Sequence, residues 1–349
     1  MMRFLGGVLA RVALAVAVSW ALASCCYGAT KGSLQIYFVD VEGGQATLFV
    51  TPSKHSLLVD TGWPGFDGRD ADRIVAAAKD AGISRIDYVL LTHYHVDHTG
   101  GVPQLAARIP IGTFIDHGPN RESNAETVKA YDAYQKVLAD GHFEHIVAKA
   151  GDVLPIPDLK VTVVSADGEL LKEPRAGAGK ANSFCAASEK RPADETENAR
   201  SLGVMLGFGR LKILDLGDLT WDKEMELMCP VSRVEHVDLL VVSHHGWSQS
   251  SSPALVDAIS PRVAIMDNGA TKGGSPPVWQ VIEKAPGLED LWQLHYSEEG
   301  GVANNVAEGK IANLHGPDAG HSLKVTAHED GGFEVYNSRS GVSKSYPSK

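Results

Sequence analysis

Cysteine is scarce in this chain, with four among 349 residues, at Cys25, Cys26, Cys185 and Cys229. Cys185 and Cys229 are not spaced like metal ligands and lie far from any histidine cluster, which argues against a thiolate-rich structural metal site. In an oxidising compartment the two are expected to pair as a structural disulfide. Basic charge is also in deficit: 32 Lys and Arg face 43 Asp and Glu, for a net charge of −11. Broad nucleic-acid binding needs Lys and Arg to neutralise phosphates, so no long nucleic acid is expected as a partner. A small phosphoester is not excluded, because a bound metal reverses the local potential. After the first thirty residues no apolar stretch is long enough to cross a membrane, so no transmembrane segment is expected in the mature chain. What is present is ample core material: 44% hydrophobic and 21% charged residues exclude a disordered chain.

Residues 1–29 read as an export signal. Arg3 and Arg11 supply positive charge, and Val12 to Leu22 is an apolar run too short to span a bilayer comfortably. Leu22-Ala23-Ser24-Cys25 resembles the lipobox of bacterial lipoproteins, which implies Cys25 as a lipidated first residue and a lipid anchor. Ordinary secretion, with cleavage near Gly28 or Ala29, is the alternative. The expected location is periplasmic, outer-membrane lipoprotein or extracellular. Loss of the leader removes two arginines and no acids, taking the net charge from −11 to −13.

Residues 30–349 read as one domain with an irregular insertion at 165–200, a polar stretch without a clear period. Strands are expected at Leu34–Val39, Ala46–Val50, Leu57–Val59, Ile86–Leu91, Ile111–Ile115 and Leu159–Val164. A hairpin turns at Gly209, and later strands follow at Val237–Val242, Val263–Met266, Leu291–His295, Ser322–Ala327 and Phe333–Tyr336. Helical spacing covers Arg69–Ala81, Val96–Arg108, Ala125–Ala139 and Val278–Lys284. Hairpins followed by alternating strands and helices give a mixed α/β plan, and polar motifs recur where strands end.

The densest motif is Leu90-Leu91-Thr92-His93-Tyr94-His95-Val96-Asp97-His98-Thr99-Gly100-Gly101. Three imidazoles and a carboxylate within six residues form a nitrogen and oxygen ligand set suited to zinc or a similar metal. His93 and His95, two apart at a strand end, can point at one ion, while Asp97 and His98 open the next helix and reach a second. A solvated histidine-rich loop is the alternative. The apolar strand before the motif and Gly-Gly after it count against that.

This stretch resembles the HxHxDH motif of the metallo-β-lactamase superfamily. Asp60-Thr61-Gly62 is similar to the family's Asp-x-Gly turn, implying structural support from Asp60 and Gly62. Asp215-Leu216-Gly217-Asp218 resembles its Gly-Asp motif, whose aspartate bridges both metals. Ser243-His244-His245-Gly246 resembles the late motif whose histidine, here His245, completes the second site. The resemblance runs roughly from Gln35 to Tyr296 and implies a four-layer αββα sandwich. It also implies two divalent metal ions, zinc first with manganese or iron as alternatives. The nearest patterns are the hydrolase domain of bacterial DNA-uptake channel proteins and the phosphorylcholine esterases. Asp40-Val41-Glu42-Gly43-Gly44-Gln45-Ala46 is similar to the former's Asp-Val-Gly-Gln-Gly-Asp-Ala, and Ser248, Ser250 and Ser251 follow His-His-Gly as in its serine-bearing loop. The chain departs at Glu42, at Gln45, and at Gly273-Gly274-Ser275-Pro276, where a Gly-His-Pro turn would stand.

Lactamases and thioesterases carry a third histidine for the first metal, where this chain has Glu197-Asn198-Ala199-Arg200-Ser201. Asparagine is a weak zinc ligand, so another histidine or water is expected to complete that site, with His117 the best substitute, ahead of His142 and His145. His55, His236, His315, His321 and His328 read as ordinary residues. His295-Tyr296, Trp63 and Trp247 are candidates to line the cleft. The implied chemistry is attack by a metal-bound hydroxide on phosphorus or a carbonyl. Asp218 bridges the ions, Asp97 orients the nucleophile or takes its proton, and His244 donates a hydrogen bond to the developing anion. The expected function is an exported metal-dependent hydrolase of a small phosphoester, with lactams, lactones or thioesters as alternatives. An exported metal-binding protein without turnover is the alternative of another class. Di-iron reduction of oxygen or nitric oxide needs extra carboxylates and a flavin partner, and neither is evident.

Overall fold

A computed structural model describes residues 32–316 and 318–349; the expected leader, with Cys25, lies outside the described residues. From the first half come β1 (Leu34–Phe38), β2 (Thr47–Val50), β3 (Ser56–Val59), α1 (Arg69–Asp80), β4 (Ile86–Leu90), α2 (Val96–Thr99), α3 (Val102–Ala106), β5 (Ile111–Asp116), α4 (Ala125–Asp140) and β6 (Glu144–Val147). Next follow β7 (Val153–Leu154), β8 (Lys160–Ala166), β9 (Glu169–Leu170), β10 (Gly203–Phe208), β11 (Leu211–Asp215), α5 (Trp221–Met228), β12 (Leu239–Val241), α6 (Pro253–Ile259), β13 (Val263–Met266), α7 (Pro276–Glu283), β14 (Asp290–His295) and β15 (Ile311–Asn313). The chain closes with β16 (Leu323–Ala327), β17 (Phe333–Asn337) and β18 (Ser343–Tyr346).

These strands form two sheets, ordered β18-β17-β16-β1-β2-β3-β4-β5-β6 and β15-β14-β13-β12-β11-β10-β8-β7, with β9 pairing β8. The two-residue period of the strands sets the layers. Ile36, Leu57 and Val59 of the first sheet meet Val163, Val204 and Ile213 of the second in the central core. Their neighbours point the other way. Tyr37, Leu58 and Val89 pack under α1, α3 and α4, contributing with Ile74, Leu105 and Tyr134. Met205, Leu214 and Leu240 pack under α5, α6 and α7, with Leu227, Leu255 and Ile282. The result is the four-layer αββα sandwich, and Gly32–Lys349 is one compact unit.

Two expectations change in detail. The single helix over 96–108 is two, α2 and α3, divided at Gly100-Gly101. A Cβ on Gly101 would lie 2.1 Å from the Thr61 carbonyl oxygen, and the Gly101 N–H donates to Gly62 at 3.0 Å. The helix breaks there because the Asp60-Thr61-Gly62 turn packs directly on it. The irregular segment starts later than expected, since β8 and β9 carry regular pairing to Leu170. It then lies across α5 and α6: Asn182 donates to the carbonyls of Met228 and Ala254, Trp221 donates to Glu189, and a Cys185–Cys229 disulfide fastens it. No helix among the described residues is long and apolar enough to cross a membrane.

Candidate metal centre

Loops leaving the C-terminal ends of β3, β4, β11, β12 and β13 meet at one edge of the sandwich, where strand polarity leaves room for ligands. They bring Asp60, then His93 through His98, then Asp218, His244-His245 and Asp267. Gly217 makes the turn before Asp218 with φ +54, and a Cβ there would lie 2.7 Å from the Thr92 Cβ. His244 and His245 both hold left-handed backbone, at φ 55 and 54. Such conformations cost of order 1–3 kcal/mol each without glycine and persist only where surroundings fix them. Here the His244 N–H donates to Gly217 at 3.0 Å, and the Gly274 N–H donates to the His245 carbonyl at 2.9 Å.

Asp97, His98, Asp218 and His245 each place one donor atom within 4.8 Å of the others, and so do His93, His95 and Asp218. Asp218 belongs to both sets. Its Oδ2 lies 3.3 Å from His98 Nε2, 3.4 Å from His244 Nε2 and 3.8 Å from His93 Nε2. Asp97 Oδ2 is 3.3 Å from both His98 Nε2 and His245 Nε2. Asp60 supports this from behind: it accepts from the Thr92 N–H and hydroxyl at 2.8 and 2.7 Å and meets His98 Nδ1 at 2.7 Å. A carboxylate on Nδ1 fixes the imidazole's orientation and leaves Nε2 for the cluster. Glu122 meets His95 Nε2 at 2.9 Å in a comparable way.

Burial opposes ionisation of Asp97 and Asp218, yet both stay well below the usual carboxylate range. Lys272 and His98 hold Asp97 down, and the His244, His98 and His245 imidazoles hold Asp218 down. Burial drives His93 well below an ordinary histidine, reinforced by His98. His98 goes the other way against its burial, raised by Asp218, Asp97 and Asp60. Burial pushes His244 down to about 4, so it is neutral at physiological pH.

The residues fit a divalent cation on grounds of their own. His93 Nε2, Asp218 Oδ1 and Asn198 Oδ1 are buried without a hydrogen-bond partner. Buried polar atoms are normally paired, and coordination satisfies imidazole nitrogens and carboxyl or amide oxygens that are not. Residues 39–179 match the sequence family described as the metallo-beta-lactamase superfamily. The chain carries a metallo-β-lactamase superfamily domain. Its metallo-hydrolase character rests on that match and on the donor sets together. The chain is 26% identical over 230 residues to competence protein ComA of Neisseria gonorrhoeae, covering 66% of this chain and 26% of that protein. It is 34% identical over 122 residues to thioesterase pkgB of Emericella nidulans, covering 33% of each. The chain thus spans only a quarter to a third of the lengths of these relatives. Among solved structures, a diphosphatase from the PhnP family aligns at 13% identity over 84% of this chain and 96% of that one, with a TM-score of 0.39.

The metallo-β-lactamase domain does not place His117 with the donors, which corrects the expectation for the first site. β5 ends at Asp116, whose carboxylate is taken by Tyr134 and His145, and His117 Nε2 turns to Glu197 at 3.1 Å. Asn198 is at the centre instead, its amide 3.4 Å from His244 Nε2. His295 meets Asp40 at 2.7 Å and, with Trp63, lines a neighbouring cavity of about 610 Å³. Trp247 packs on His244 with ring centres 5.5 Å apart. Three residues at the domain's centre carry no sequence signal: Glu122, Lys272, which pairs with Asp97, and Asp267, whose Oδ1 is 3.5 Å from His245 Nδ1. Each stands alone in a loop without a spaced partner, so only the fold reveals it.

Proposed function

We propose that this domain is an exported metal-dependent hydrolase acting on a small phosphoester. The observation that carries the hydrolase reading is the pair of donor sets sharing Asp218, buried except for the partly exposed His95. His93, His95 and Asp218 would hold one divalent ion, and Asp97, His98, His245 and Asp218 a second. Ions in these sets would supply Lewis-acid polarisation of a phosphoryl or carbonyl oxygen and would lower the pKa of a bound water towards neutrality. The chain's own residues do the rest. Asp60 and Glu122 orient His98 and His95. His244, held neutral between Asn198, Ser250 and Asp218, would donate a hydrogen bond to a substrate oxygen beside Asp218.

Phosphorus is favoured by Asn198, which stands where lactamases and thioesterases use histidine, and by a second imidazole, His244, next to His245. The acidic chain disfavours a polynucleotide and leaves a small ester. Export is supported by the pattern of the first 29 residues, and zinc by the imidazole-rich donors. A thioester is the second reading, supported by the likeness to thioesterase pkgB. Bis-nitrophenyl phosphate, a thioester and a chromogenic cephalosporin, each assayed with zinc and with manganese, test the choice. Turnover of the phosphodiester ahead of the other two is expected. Efficient thioester or cephalosporin turnover without phosphodiesterase activity under either metal would overturn it.

A further inference from the structure

We infer that Lys272 is a built-in cation of the Asp97–His98–His245–Asp218 set and weakens that set's hold on a divalent ion, so that the centre loads in two unequal steps. The inference rests on the metal-centre reading above. Lys272 lies in the loop between β13 and α7, and its ammonium pairs with Asp97 Oδ2. That oxygen is the one facing His98 Nε2 and His245 Nε2, each at 3.3 Å. The ammonium therefore uses the same donor atom that an ion in this set would need.

Contacts other than Asp97 hold the amine in place. Lys272 donates to the Gly43 carbonyl at 2.7 Å and lies over the rings of Trp63 and Trp247, at 5.1 and 5.6 Å from their centres. Its loop is fixed too. The Gly269 N–H donates to the Lys272 carbonyl at 2.8 Å, and a Cβ on Gly43 would lie 2.8 Å from the Gly269 nitrogen. The side chain is only 19% exposed, so solvent screens it little. An ion entering this set must sit beside the ammonium or displace it from the Gly43 carbonyl and the two indoles. Either way affinity falls, because like charges repel strongly in a buried site. The His93–His95–Asp218 set bears no such cost. Among the described residues no lysine or arginine pairs with Asp218.

The test titrates the full chain, stripped by a chelator, with Zn²⁺ or Mn²⁺ alone and follows bound ion by calorimetry and elemental analysis. The wild type should take one ion tightly and a second on the order of tenfold or more weakly. Lys272→Met and Lys272→Gln should tighten the second step and draw the two together, while Lys272→Arg keeps them apart. Circular dichroism checks that each variant is folded. Two equally tight steps in the wild type overturn the inference whatever the variants do. So do unequal steps that persist unchanged in the folded Met and Gln variants. A wild type that takes up no ion removes the metal-centre reading itself, and this inference with it.

Discussion

Asp218 owes its position to a single glycine. Gly217 turns the chain where any side chain would meet Thr92, and Thr92 is the residue that Asp60 grips just before His93. Turn, support and donor are thus locked in one contact. Asp218→Ala should leave the far-ultraviolet circular dichroism unchanged, lower bound metal and cut kcat/KM by about a hundredfold or more, since both donor sets lose a member. Wild-type metal content in that variant would show that Asp218 bridges nothing. Asp60→Asn is expected to weaken metal binding by about 10- to 100-fold through misorientation of His98, seen as a lower chelator concentration for half-stripping. At this scale His93, His95, Asp97 and His98 were legible because spacing puts them on one strand end. Asn198 was legible as a departure. Lys272 and Asp267 were not, because single charged residues in loops look alike until long-range packing brings them to a metal site. His117 misled for the same reason: the strand end was correctly placed, but the direction of the side chain depends on Glu197, eighty residues later.

Short elements account for what was missed: the strands β6, β7, β9, β15 and β18 and the helices α5 and α6. α5 and α6 have eight and seven residues, and neither stands out in the sequence. The N-terminus of α6 is held by Glu224 of α5, whose carboxylate accepts from the Ser251 and Ser252 N–H groups at 2.8 and 2.6 Å. Burial pushes Glu224 up to about 7, although those N–H groups favour its charged form. A carboxyl raised in the folded state binds its proton more tightly there than in the unfolded chain. Its contribution to stability is therefore full below about pH 4.5 and is lost as pH rises through about 7. Relative to Glu224→Gln, the wild type should lose about 3 kcal/mol of unfolding free energy across that window, measured by denaturant titration at stepped pH. A difference independent of pH would mean that Glu224 titrates normally. The Cys185–Cys229 disulfide, across 44 residues, ties the irregular segment to the end of α5. Replacing both cysteines with alanine should cost roughly 3–4 kcal/mol in the chain-entropy model, read as a lower denaturation midpoint. The pairing itself was legible, since no other cysteines lie among the expected folded residues.

Across the whole molecule, the donors come from loops of both sheets, so bound ions would clamp the sandwich at one edge. Chelation should lower Tm and metal should restore it, with about 2.7 kcal/mol gained at a hundredfold excess over Kd. A Tm indifferent to chelator would mean that the ions do not bind the native state preferentially. The mixed α/β plan was readable because strand alternation and strand-end motifs agree, and the αββα sandwich followed from the resemblance those motifs carry; the order of strands within each sheet was not, because register partners can lie at opposite ends of the sequence.

One such pairing has a bearing on biosynthesis. β1 is flanked on one side by β2, nearby in the chain, and on the other by β16, with Leu34 opposite Ala327. As the polypeptide emerges from the ribosome, that second edge has to wait for almost every other strand to be translated. Until then a row of backbone donors and acceptors stays open to any passing strand. A nascent chain of this topology therefore has a long interval of vulnerability and gains most from a chaperone that holds its first strand, rather than from one that acts once the chain is complete.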